Sequence, residues 1–353
     1  MRTGCATSRV TSSAGRRSRP GCVSTGRSRR GCWGRRRRSR RPWRGCARTC
    51  RCCYDRASEE TGRARYFALQ RLARQQGRDT QELLTLYALE GLLARLAASD
   101  HREQLVVKGG MLLAAFAQRR PTRDLDVHAQ SLESDVDTVR DLIADVAALD
   151  LDDGLDFDTS GATAQVIRED DKYSGVRVTL AVGLHTAKLS VKVDVNVGDP
   201  IWPAPEDVTL PRLLTDESLV LRGYPLHMVL AEKLVTAIDR GTANTRWRDF
   251  ADIYLLSRHH PVDGADLAEA TLRVADYRGV ELVPLAEVLD GLGGLAQSRW
   301  VAWRAKQDLI DRLPEAFADV VSAVIVFGDP VATGAAAGAS WKPERTTWEF
   351  EST

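Results

Sequence analysis

Residues 106–127 read VVKGGMLLAAFAQRRPTRDLDV, and this stretch decides the fold. A short apolar strand at 105–107 runs into Lys108-Gly109-Gly110, an apolar helix is predicted over 111–117, and a second strand over 123–128. Asp124 and Asp126 lie two apart on that strand, so both side chains leave the same face. Two carboxylates projecting together repel each other unless a cation neutralises them. Hard oxygen ligands favour Mg²⁺ (or Mn²⁺), which bridges to substrate phosphates rather than filling a protein cage. Glycines between a strand and a helix let backbone N–H groups approach a triphosphate, whose charge suits a helix N-terminus. Taken singly, a Gly-Gly pair is a weak signal, and an isolated acidic pair is more often solvated surface. Their order along the chain is more specific.

Outward from this stretch, helices are predicted over 59–76 and 79–98, the second starting at Asp79-Thr80 and carrying a broad leucine face. A helix over 134–149 is capped by Ser134. Strands follow at 162–168, 176–182 and 189–197. The last alternates cleanly, with Val191, Val193, Val195 and Val197 opposite Lys192, Asp194 and Asn196. Asp194 is the natural third carboxylate, and three on adjacent strands suit metal-assisted displacement at phosphorus. Pro200, Pro203, Pro205 and Pro211 mark a boundary. Beyond it the pattern is helical, at 225–240, 247–258, 264–276, 282–290, 294–311 and 315–327. The expected class is therefore α+β. An α/β domain with N-terminal helices spans 57–205, a helical domain 206–330 and a flexible tail 331–353. Trp300 and Trp303, one turn apart, read as core, and His128 as a strand-end residue without a role.

Composition sets residues 1–56 apart. They hold eighteen arginines, no lysine and one acid, a net charge of +17 within a chain of net +2, so the remaining 297 residues carry −15. All seven cysteines also lie there, without zinc-ligand spacing. So polar a segment cannot bury enough apolar surface to fold alone. It reads as disordered, from a start codon assigned too early, with a basic nucleic-acid-binding arm as the alternative. No secretory signal or membrane span is expected, and a cysteine-free body suits a reducing cytoplasm.

The motifs resemble a known family. Lys108-Gly109-Gly110, the Arg120-x-Thr122-x-Asp124-x-Asp126 run, the strand Asp194-Val-Asn-Val-Gly198-Asp199, Ala231-Glu232-Lys233 and Arg246-Trp-Arg-Asp249-Phe-Ala-Asp252 are similar, in order, to the AbiEii/AbiGii toxin family. The similarity covers about residues 60–330. It implies a polymerase-β-type nucleotidyltransferase domain (a mixed sheet with flanking helices) followed by a helical domain. It also implies NTP as substrate, and for some members transfer to a tRNA 3′ end. A cognate AbiEi-like antitoxin, encoded nearby, is the implied partner. On this resemblance Asp124, Asp126 and Asp194 are the metal-binding and catalytic carboxylates. Lys233 joins them as a catalytic and nucleotide-binding lysine, with Lys108, Gly109, Gly110, Arg246 and Asp249 in the nucleotide site. Asp249 orients Lys233 or Arg246, or else serves only the helix dipole. The chain departs from the broader superfamily in lacking the serine that follows its first glycine.

An acidic body is unfavourable for RNA unless a local basic patch forms. Arg240, Arg246, Arg248 and Arg258 are candidates, as are Arg119, Arg120 and Arg123. Transfer to a small molecule or protein, and a non-catalytic NTP-binding regulator, are the competing readings.

Overall fold

The computed structural model describes residues 51–116, 121–130, 132, 135–169 and 173–350. Most of residues 1–56, together with Arg119, Arg120 and Ser134, lie outside them.

Two helices open the described chain, α1 (Arg51–Gln76) and α2 (Thr80–Ala98). Asp79 caps α2 by accepting from the Gln81 N–H. The chain continues through β1 (Leu105–Lys108), α3 (Gly109–Leu112), β2 (Asp124–Ala129), α4 (Val136–Ala147), β3 (Leu155–Glu169), β4 (Tyr173–Leu184) and β5 (Ala187–Val197), then β6 (Glu206–Pro211) and β7 (Ser218–Gly223). These strands form one mixed sheet in the order β3-β4-β5-β2-β1-β7-β6. At its centre β2 runs parallel to β5 and antiparallel to β1.

Alternation gives the sheet two unlike faces. Val176, Val178, Val191, Val193, Val195, Leu125 and Val127 are buried on one, against α2 and α4. Each such side chain contributes about 1.5–3 kcal/mol of transfer free energy. The intervening positions, Arg177, Lys192, Asp194, Asn196, Asp124 and Asp126, share the other face. Within α2 a charge is buried too. Arg95, 1% exposed, donates to both oxygens of Asp153 at 2.6 and 3.1 Å, fixing the helix to the start of β3.

The helical half comprises α5 (Leu226–Arg240), α6 (Trp247–His259), α7 (Gly264–Arg278), α8 (Leu285–Val288), α9 (Leu292–Lys306) and α10 (Phe317–Ala332). A small second sheet joins β8 (Val262–Asp263) to the hairpin β9 (Ala339–Lys342) and β10 (Thr347–Phe350).

Four expectations change. The mixed half does not end at residue 205, because β6 pairs with β7 and β7 with β1; Pro211 ends the edge strand, where a missing N–H costs little. The tail is folded from 339 to 350, since Trp341 is buried and the Trp348 indole donates to the Phe327 carbonyl at 3.0 Å. Helix α4 is capped by Asp135, whose carboxylate accepts from the Thr138 N–H at 2.8 Å. The helix expected at 111–117 is a single turn, Gly109–Leu112, followed by turns to Phe116. So short a helix has little dipole to offer a phosphate.

Candidate active site

Strands β1, β2, β4 and β5 set out the floor of a cleft. Pairing places Lys108 opposite Asp126, Asp126 beside Asp194, and Arg177 opposite Asp194. The glycines after β1 have a steric reason to be there. Gly109 has φ +65°, and a Cβ on it would lie 1.9 Å from Asp126 Oδ2. A Cβ on Gly110 would lie 2.5 Å from Thr122 Oγ1. The Gly-Gly pair thus lets the chain turn directly over the acid strand.

The three carboxylates are not equivalent. Asp194 accepts from Arg177 Nε at 2.7 Å and from a terminal nitrogen at 2.6 Å, one bond to each oxygen. Asp124 and Asp126 have no hydrogen bond or ion pair among the described residues. Burial, and then the charge of Asp124, push the pKa of Asp126 up to about 6, with Asp194 adding to the rise and Lys108 and Arg248 opposing it. Arg177 is bonded to Asp194 alone, and the lysine and arginine charges near Asp126 do not outweigh its burial and the charge of Asp124. That donor set fits a hard divalent cation. Among the described residues no three His, Cys, Asp or Glu side chains are placed to hold one ion together. Arg177 engages both oxygens of Asp194, so Asp124 and Asp126 are the carboxylates most open to a cation in this arrangement.

Lys108 also differs from expectation. Its ammonium lies 3.2 Å from Asp199 and 3.0 Å from Glu232. Burial alone would lower its pKa, but Glu232, Tyr224 and Asp199 outweigh that and hold it well above the ordinary lysine value. It ties the sheet to α5 and also lines the cleft. His128 stays on the same face, buried, with its pKa lowered by that burial.

The helices supply the opposite wall. Lys233 on α5 donates to Asp249 at 2.9 Å and Asp252 at 2.8 Å, both on the first turns of α6. Arg246 Nε lies 3.0 Å from the other oxygen of Asp249. Burial would raise the Asp249 pKa, but Lys233 and Arg246 together hold it below the usual carboxylate range. Asp249 therefore contacts both Lys233 and Arg246, as the orienting reading requires. Arg248 and Arg278 complete the wall. The cleft, about 410 Å³, is lined by Lys108, Gly109, Gly110, Asp124, Asp126, Arg177, Asp194, Lys233, Arg246, Arg248, Asp249 and Arg278, among others. Arg177 and Arg278 are the residues sequence reading missed.

Lys233→Ala is expected to take from the buried Asp249 and Asp252 the ammonium they share, costing about 3–5 kcal/mol. Lys233→Arg retains most of the stability, which urea denaturation of the two variants checks.

A model of the nucleotidyl transferase AbiEii toxin family, of type IV toxin–antitoxin systems, matches residues 91–323. The chain belongs to the AbiEii family. It is accordingly a nucleotidyltransferase by family, one whose members are toxins paired with a cognate antitoxin. Two solved structures from Helicobacter pylori are similar in part: JHP933 (12% identity, TM-score 0.40, covering 72% of this chain and 94% of that one) and a candidate nucleotidyltransferase (14%, 0.41, 72% and 96%). No curated protein matches in sequence. Among the described residues no helix is long and apolar enough to cross a membrane. The AbiEii match begins inside α2 and spans every candidate site residue.

Proposed function

We propose that the chain transfers a nucleotidyl group from an NTP to an RNA hydroxyl, such as a tRNA 3′ end, and acts in the cytoplasm as the toxin of a type IV pair. The antitoxin would be an AbiEi-like protein encoded nearby. One observation carries the reading. A single cleft sets an uncompensated acid pair, Asp124 and Asp126, against a wall of Lys233, Arg246, Arg248 and Arg278. A triphosphate with its cation is the ligand whose charges match both walls.

Asp124 and Asp126 are the residues that would hold Mg²⁺ or Mn²⁺, which when bound neutralises phosphate charge and favours displacement at phosphorus. Arg246, Arg248 and Arg278 receive the phosphate oxygens, with the arginine fork suited to paired contacts. Lys233, oriented by Asp249 and Asp252, sits among them. Asp194 can approach the reacting hydroxyl when Arg177 turns toward phosphate. The acceptor hydroxyl passes its proton to Asp194 as its oxygen attacks the α-phosphorus, and pyrophosphate leaves with the broken α–β bridge. Positioning and charge neutralisation supply most of the acceleration.

The test is pyrophosphate release by the full chain with Mg²⁺, total tRNA and each NTP in turn. Release that needs all three components supports the proposal, and release without tRNA points to a small-molecule or protein acceptor. No release with any NTP removes it.

A further inference from the structure

We propose that the open groove beside the cleft is the track of a single-stranded RNA acceptor, with Trp303 as the platform on which a base stacks. The inference rests on the nucleotidyl-transfer reading and assigns that reaction's second substrate to a surface. The groove holds about 930 Å³ and shares Asp124, Arg177 and Arg248 with the cleft, so a strand lying in it ends at the acid pair. Its volume is more than twice that of the cleft, which suits a chain of nucleotides rather than one.

Its charge is the second observation. Arg123, Lys192, Arg248 and Lys306 line it, all exposed. None of the four is in an ion pair among the described residues. The groove's own acids are otherwise engaged. Asp79 caps α2, Glu82 pairs with Arg78, and Asp124 belongs to the cleft. Arg123, Lys192 and Lys306, with Arg248 at the junction to the cleft, are cations of the kind a phosphate backbone requires.

The third observation is aromatic. Trp300 is wholly buried, as expected of core, but Trp303 is not: it is half-buried and lines the groove. Its ring stacks on Trp300, with centroids 5.3 Å apart and planes 26° from parallel. Trp300 is itself fixed, its indole donating to the Pro314 carbonyl at 3.0 Å and its ring lying 4.8 Å from Phe317. Trp303 is therefore a rigidly backed ring beside a cationic track. Stacking on such rings with phosphates held alongside is how single strands are bound without regard to sequence. Bases paired within a duplex would not reach the ring.

The experiment uses the full chain and a 12-nucleotide single-stranded RNA carrying 2-aminopurine near its 3′ end. Residues 1–56 add their own electrostatic attraction, so the readout is stacking, seen as 2-aminopurine quenching. Wild type and Trp303→Phe are expected to quench, and Trp303→Ala to quench about fivefold less. Lys192→Glu with Lys306→Glu is expected to raise the half-saturating RNA concentration about tenfold and to flatten its salt dependence. Binding of Mg²⁺ and ATP should be unchanged in each. Quenching as strong in Trp303→Ala as in wild type, or equal displacement by polyglutamate, overturns the assignment. If quenching follows Trp303 but pyrophosphate is never released, the transfer reading fails and the groove stands. If transfer proceeds with an unaltered KM for RNA in both variants, the groove assignment fails alone.

Discussion

Asp126→Asn is expected to lower nucleotidyl transfer by on the order of 10³-fold or more while stabilising the nucleotide-free protein. The carboxylate pKa rises from 3.8 to about 6 in the folded protein, so the folded state binds this proton more tightly than the unfolded state. The stability linked to that proton is fully present below about pH 4 and is lost as pH rises through about 6. Near pH 7.5 the ionised Asp126 therefore costs the free protein up to about 3 kcal/mol, which asparagine removes at almost constant shape. Thermal melts should place Asp126→Asn several degrees above wild type at pH 7.5, with the gap closing toward pH 4. Mg²⁺ should narrow the gap from the other side, by raising the wild-type Tm and leaving the variant unmoved. A variant that melts below wild type at pH 7.5, or that still transfers, would contradict the account of the acid pair.

The second large effect lies away from the chemistry. Asp153→Ala leaves the buried Arg95 guanidinium without its bidentate partner, and the loss is expected to reach about 3–5 kcal/mol. The carboxylate also accepts from the Leu155 N–H at 3.0 Å, so the alanine variant frees a backbone donor at the start of β3 as well. Arg95 retains only the Gly91 carbonyl at 3.0 Å, a long contact to the Leu155 carbonyl and the Phe157 ring 4.6 Å from its guanidinium carbon. Removing both charges with Arg95→Met and Asp153→Leu should recover much of the loss, since apolar replacement of a buried pair is often near neutral. Urea midpoints of the three variants test this, and kcat of whatever remains folded should not move. A near-neutral Asp153→Ala would show that water reaches the pair.

The valine rows made the sheet's centre readable, because a period of two in β5 admits one buried face and puts Asp194 on the other. Asp124 and Asp126 followed from the same rule. Arg177 was within reach too. The turn at His185-Thr186 pairs residues counted equally back from it, which sets Arg177 opposite Asp194. That turn carries no glycine or asparagine, so residue types alone do not locate it or set the count. The ion pairs of Lys108 were not legible in the sequence, because its partners Asp199 and Glu232 are 91 and 124 residues away, a separation periodicity cannot bridge. Arg278 comes from α7 for the same reason. The prolines near 205 marked a break that β6 and β7 cross, since an edge strand tolerates Pro211. Trp303 has the one-turn spacing of a core pair, and only packing distinguishes its half-buried ring from that of Trp300.

The central claim is that the acid pair and the basic wall act on one NTP, breaking it between its α- and β-phosphates. It is tested most directly by parallel reactions of the full chain with Mg²⁺, total tRNA and NTP labelled with ³²P at either the α or the γ position. Label is expected on RNA from the α-labelled nucleotide alone, and is expected to be absent with Asp126→Asn. Label arriving from the γ position, or surviving that substitution, would contradict it.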